Sequence, residues 1–204
     1  YTQTTPLQLC QMIAQLANGG FKIYPKIILE KNDKTADEIK LIMKNNTKNF
    51  DEKNNGLQEA SELLGFANKK KYQRLFKNSR NIKLVREAIF ASTNEVRGTS
   101  YKSRIEDPKY QFAGKTGTSQ VRRITKAARE LDLSTSEIPY NERDHALYIA
   151  FGPYKNPRYA LSIVIEHGGS GSSAAAPIAK KLFKLIVDRH ELREKQSKQN
   201  NLEI

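Results

Sequence analysis

The chain has 204 residues, with 35 Lys+Arg against 22 Asp+Glu, one Cys and no Trp. Its formal charge of +13, with 38% hydrophobic and 28% charged residues, describes a globular chain with a wet, basic surface rather than a disordered one. One cysteine excludes an internal disulfide framework and a multi-thiolate metal site, and no run approaches the ~18 apolar residues of a membrane-spanning helix. There is no initiator methionine and no charged-then-apolar leader, so the expectation is a piece of a longer protein.

The first thirty residues open with an amphipathic helix pattern. Pro6 suits a first helical turn behind Thr4 or Thr5 as cap, and Leu9, Met12, Ile13, Leu16 and Ala17 recur at helical spacing. Asn18-Gly19-Gly20 stops the run, and residues 21–29 read as an extended, strand-like exit. Residues 31–111 are rich in Lys and Asn and poor in strands, with short helical patterns at 36–44, 57–64 and 81–93. Between Lys69 and Arg86 lie eight basic residues and no acid. That run reads as a solvated basic face, an anionic-surface contact or a nucleic-acid site, since Tyr72 and Phe76 interleave with the cations.

The last third is the most regular. Strands are predicted at about 111–121, 145–152 and 159–166, the last two joined by the turn chemistry of residues 154–158. A long polar loop, 122–144, separates the first two, with room for one helical turn near 127–131. The Gly/Ser stretch 168–173 is a hinge into an amphipathic helix over about 174–192, and residues 193–204 form a polar, frayed tail. Strand, loop, strand, turn, strand and helix predict an α+β fold: a three-stranded antiparallel sheet covered by helices.

Lys115-Thr116-Gly117-Thr118 is the sharpest chemical feature. Glycine in a strand lets a ligand backbone approach without a Cβ clash, lysine supplies a cation and proton-transfer partner, and threonine hydroxyls hold a carboxylate. The stretch from Phe112 to Val121 resembles the KTG strand of penicillin-binding transpeptidases. Thr5-Pro6-Leu7-Gln8-Leu9 with Leu16-Ala17-Asn18-Gly19-Gly20 resembles the helix preceding that strand in class B enzymes. Residues 145–152 look like the next strand. Glu166-His167-Gly168-Gly169 with residues 171–179 looks like the last strand and helix of the elongation-specific branch, penicillin-binding protein 2.

The resemblance implies the C-terminal part, residues 1–192, of a serine D,D-transpeptidase domain that crosslinks peptidoglycan stem peptides and is acylated by β-lactams. It implies that Lys115 acts in the proton network, that Thr116 and Thr118 hold a terminal carboxylate, and that Gly117 keeps the strand open. The Thr118 backbone N–H would be an oxyanion donor. No cofactor is implied. The expected setting is the bacterial periplasm beside the cell-elongation machinery, the parent protein anchored in the inner membrane by an N-terminal helix.

One departure matters. None of the thirteen serines has Lys three residues on, so the family's S-x-x-K nucleophile is absent and the chain alone is expected to be inactive. Ser79-Arg80-Asn81 and Ser92-Thr93-Asn94 match the family's S-x-N pattern by chance, because both follow the Thr5–Gly20 segment that the motif should precede. His145, His167 and His190 are too scattered for a zinc site and read as structural or surface groups, and Cys10 as a buried thiol. The alternative reading is a non-catalytic basic module for an anionic surface or nucleic acid, the latter being the less favoured partner.

Overall fold

The computed structural model describes residues 3–27, 73–76, 78–121 and 133–200. The sequence-derived helices at 36–44 and 57–64 and the turn at 127–131 lie outside these residues.

Helix α1 (Pro6–Ala17) starts where its side chains can satisfy the free backbone donors. Thr5 Oγ1 accepts the Gln8 N–H at 3.2 Å, while Gln8 Oε1 accepts the Thr5 N–H at 2.8 Å. The helix stops at Asn18, whose Oδ1 accepts the N–H groups of Gly20 and Phe21. Among the described residues the strand-like exit after Phe21 does not form, residues 28 and 29 lying outside them. Phe21 makes one isolated bridge to Arg74, and residues 22–27 belong to no strand. The pairing with residues 73–75 is brief: Lys22 N–H donates to the Gln73 carbonyl at 2.8 Å and Leu75 N–H to the Gly20 carbonyl at 2.9 Å. At Ile23 side chains of α1 take over, Gln11 donating to its carbonyl at 2.6 Å and Gln15 accepting its N–H.

Helix α2 (Ser79–Asn94) is capped by Asn78, which accepts the Arg80 N–H. After it the chain folds back tightly over the last turn, where Ser100 N–H reaches the Ser92 carbonyl at 3.1 Å. A Cβ at Gly98 would collide with the Ser92 and Ala91 carbonyls, so this close approach needs glycine.

Three strands follow: β1 (Ala113–Ser119), β2 (His145–Gly152) and β3 (Tyr159–Ile165). They form one antiparallel sheet in the order β1-β2-β3, with Gly117 opposite Leu147 and Leu147 opposite Val164. The final helix, α3 (Ala176–Asn200), is entered through a π-helical turn, Gly171–Ala175. It runs past Leu192, where the sequence pattern ended it. The α+β class, the three strands and the C-terminal helix agree with the sequence reading.

The sheet is a middle layer. On one face Phe112, Tyr148, Ala175, Ala179 and Phe183 form a core with α3, the Phe112 and Phe183 rings stacking at 4.8 Å. On the other, Ile13 and Ala17 of α1 and Ile89 of α2 pack against Ala113 and Phe151. The alternation of Tyr148 and Ala150 against Ile149 and Phe151 along β2 feeds both cores. Each fully buried aromatic ring contributes about 1.5–3 kcal/mol.

Candidate active site

The candidate residues stand together on β1, an edge of the sheet among the described residues. Lys115 and Thr118 are exposed; Thr116 and Gly117 are half-buried. The Lys115 ammonium turns back along its own strand, donating to the Thr116 carbonyl at 3.0 Å and lying 3.4 Å from Thr116 Oγ1. Thr116 Oγ1 in turn meets Thr99 Oγ1 at 3.2 Å, and Thr99 meets Ser92 Oγ at the same separation. A cation and a line of hydroxyls therefore border the outer edge of β1.

The orientation of that edge follows from Gly114. Its N–H donates to Thr93 Oγ1 and its carbonyl accepts from the same hydroxyl, each at 3.0 Å. Both backbone groups of Gly114 thus point away from β2. In an antiparallel pair, residues facing the partner alternate with residues facing away. Thr116 and Thr118 consequently present their N–H and C=O groups outward, and Lys115 and Gly117 bond to β2. A Thr118 N–H without a partner among the described residues, beside an exposed Thr118 hydroxyl, is the geometry needed to receive an anionic oxygen.

Beneath the strand lies a buried hydroxyl cluster that the sequence reading missed. Thr93 Oγ1 also meets Tyr148 Oη at 3.0 Å and Ser100 Oγ at 3.2 Å, and Tyr148 Oη meets Ser100 Oγ at 3.0 Å. The Ser100 hydroxyl donates to the Ser92 carbonyl at 3.1 Å. Burial pushes the Tyr148 phenol up, with the Ser100 and Thr93 bonds acting the other way, so it stays a neutral donor. Tyr148 lies directly over Gly114, where a Cβ would overlap its hydroxyl. One sequence signal was available: a tyrosine inside an otherwise apolar buried strand must find a hydrogen-bond partner.

Of the two S-x-N matches, only the second approaches β1, its Ser92 Oγ ending the hydroxyl line that runs through Thr99 to Thr116. Ser79-Arg80-Asn81 opens α2, while Thr93 is fully buried and Asn94 Nδ2 donates to the Phe90 and Phe112 carbonyls. No group of three or more metal-ligating side chains occurs among the described residues.

On the far side of Gly117 sits Gly171, whose Cβ, if present, would overlap the Leu147 carbonyl and lie 2.7 Å from the Gly117 carbonyl. Glycine at 171 lets the π-helical turn press onto the strand. The family model of the penicillin binding protein transpeptidase domain matches residues 2–184, which include this turn and the cation-bordered edge. The chain belongs to this transpeptidase family.

Among curated proteins, the chain is similar to peptidoglycan D,D-transpeptidase MrdA of Salmonella typhimurium, 40% identical over 105 residues. That match covers 52% of this chain and 16% of the relative. MrdA of Haemophilus influenzae is 33% identical over 104 residues, 51% of this chain and 15% of the relative. The chain thus matches only a minor part of the length of these transpeptidases. Among solved structures, Pseudomonas aeruginosa PBP2 in complex with WCK 5153 shares the fold with a TM-score of 0.55 at 24% identity. The match covers 91% of this chain and 31% of that one. Penicillin-binding protein 3 of Mycobacterium tuberculosis shares the fold at a TM-score of 0.50 and 17% identity, over 92% and 35% of the two chains.

Proposed function

We propose that this chain supplies the KTG-strand wall of a peptidoglycan D,D-transpeptidase site, and that the serine nucleophile belongs to a part of the parent protein outside these 204 residues. The observation that carries the reading is Lys115-Thr116-Gly117-Thr118 on an outward-facing edge strand, in a chain of the transpeptidase family. In this reading the Thr116 and Thr118 hydroxyls hold the terminal carboxylate of a stem peptide or β-lactam. The Thr118 N–H stabilises the tetrahedral oxyanion, and Lys115 completes the proton network around the serine. The parent works in the periplasm, anchored in the inner membrane beside the elongation machinery, and the MrdA similarity supports that placement. No helix among the described residues is long and apolar enough to cross a membrane.

The chain alone lacks S-x-x-K, so a fluorescent penicillin should leave it without covalent label after denaturing electrophoresis. A labelled band would refute the assignment of the nucleophile to another segment. In a full-length transpeptidase carrying this segment, Lys115→Ala should slow acylation by about 100-fold or more. An unchanged rate would remove Lys115 from the chemistry.

For the basic-module alternative the described cations of the 69–86 run divide: Arg80 and Lys83 are exposed, whereas Arg74 and Arg86 are half-buried. The Arg74 guanidinium lies over the Phe21 ring at 5.1 Å, and Arg86 over Phe151 and Tyr154 at 5.6 and 5.8 Å. These two cations are used internally rather than held out to phosphates.

A further inference from the structure

Two histidines at the far end of the sheet take no part in the acyl-transfer reading. His145 opens β2, opposite Ser119 of β1. His167 follows β3 and, at φ 55°, is the one non-glycine residue with positive φ among the described residues. Their rings meet edge-on with centroids 4.8 Å apart.

Two hydrogen bonds fix where the ring protons sit. The backbone N–H of His167 donates to His145 Nδ1 at 2.9 Å. An amide nitrogen only donates, so His145 Nδ1 is bare and the ring proton is on Nε2. His167 Nδ1 lies 3.1 Å from the Arg143 carbonyl, which only accepts, so that nitrogen carries a proton and donates. The pair therefore responds unequally to acid. A second proton on His167 goes to Nε2 and leaves its bond intact. A second proton on His145 goes to Nδ1 and sets one N–H against another.

The charged and titratable neighbours leave this contrast in place. The Arg143 guanidinium donates to the Ile138 carbonyl at 2.8 Å and lies over the Tyr140 ring, which itself sits 5.1 Å from His167. The Asp144 carboxylate accepts the Val121 N–H at 3.1 Å. Glu142 lies in the short turn Tyr140–Glu142, Glu166 is exposed just before His167, and β1 contributes uncharged Ser119 opposite His145.

What the His145 bond secures is the turn over residues 166–170. Within it Gly168 N–H bonds the Ile165 carbonyl, and Gly169 N–H bonds the Asp144 carbonyl at 2.8 Å. The turn delivers Gly171 onto the carbonyls of Leu147 and Gly117, the latter in the candidate site. We infer that neutral His145 is a latch on the 166–170 turn, released when its Nδ1 takes a proton, so that acid loosens the support behind the Lys115–Thr118 strand. This inference does not depend on the reaction the strand serves.

The test uses nitrogen-detected NMR of the histidine rings together with amide exchange from pH 7.5 to 5. His145 should show the Nε2–H tautomer at pH 7.5. Protection of the His167 amide should fall, by up to ~10-fold per pH unit, within the range from pH 7.5 to 5. His145→Asn, whose Oδ1 accepts the same amide and does not titrate, should give a flat profile. His167→Asn, which tolerates the left-handed backbone, should keep the slope. An Nδ1–H tautomer at His145, a flat wild-type profile, an unchanged slope in His145→Asn, or a lost slope in His167→Asn would each overturn the latch. Should His145→Asn fail to fold, the wild-type tautomer and profile decide alone.

Discussion

Thr93 holds a junction of four polar groups with a single hydroxyl: both backbone groups of Gly114, the Tyr148 phenol and Ser100. Thr93→Val keeps the shape and removes every one of these bonds, leaving a buried amide and carbonyl without partners. Each stranded group costs about 1–3 kcal/mol, so the variant should lose about 2–6 kcal/mol in urea unfolding. Tyr148→Phe leaves Thr93 and Ser100 with their other partners and should cost only about 0.5–1.5 kcal/mol. A larger loss for Tyr148→Phe than for Thr93→Val would place the junction at the tyrosine. Gly114→Ala tests the same contact from the opposite side. Its methyl would meet the Tyr148 hydroxyl head-on, and overpacking of this kind costs about 1–3 kcal/mol or more. Loss of both the contact and the strand's alignment should show as a lower urea midpoint, and an unchanged midpoint would mean that the Tyr148 ring moves aside freely.

At the scale of elements, legibility followed the range of the interactions that define each one. Helix α1 and β1 to β3 were readable because their signals are local: Thr5 and Pro6 at a helix start, β-branched residues at 159–165, turn residues at 154–158. The Thr93 junction was not, because its members lie 7 to 55 residues apart and only the folded sheet brings them together. Neither was the short pairing of residues 20–22 with 73–75, more than fifty residues away, or its end at Ile23, where two glutamine side chains meet the backbone. The extension of α3 past Leu192 has a similar cause. Polar residues there look solvent-bound in sequence, yet Arg158 bonds Glu194 at 2.7 Å, and one to two turns earlier Lys109 and Tyr110 bond Asp188. The Arg158 guanidinium holds the Glu194 carboxyl below its usual range, and the Tyr110 hydroxyl does the same for Asp188. A carboxyl with a lowered folded value stabilises the fold above its ordinary range, near pH 4, and the contribution is lost as pH falls through the folded value. Amides of the second half of α3 should therefore lose exchange protection below about pH 4, before the sheet amides do. Glu194→Gln should weaken that pH dependence, and simultaneous loss of helix and sheet protection would show that these pairs do not anchor the helix separately.

For the whole molecule, charge and sheet topology pull in opposite directions. Strand β3 carries Tyr159, Ala160, Leu161, Ser162, Ile163, Val164 and Ile165, with no charge and no proline, and among the described residues its outer edge has no partner strand. Such an edge is a template for pairing with another chain. Among the described residues, the Cys10 thiol of α1 reaches the Ala160 carbonyl at 3.6 Å and blunts part of it. Opposing association is the net charge of +13, which keeps copies apart while their fields reach across solvent. Salt separates the two effects. Raising ionic strength from about 0.01 M to 1 M shortens the screening length from roughly 30 Å to 3 Å, while the hydrogen bonds of an edge pair are little affected. Sedimentation velocity should then show a monomer at low salt and concentration-dependent association at high salt. A monomer under both conditions would mean that the edge is guarded by more than charge. Association that weakens with salt would instead point to pairing between opposite charges, and would move the +13 balance from a repulsive role to an adhesive one.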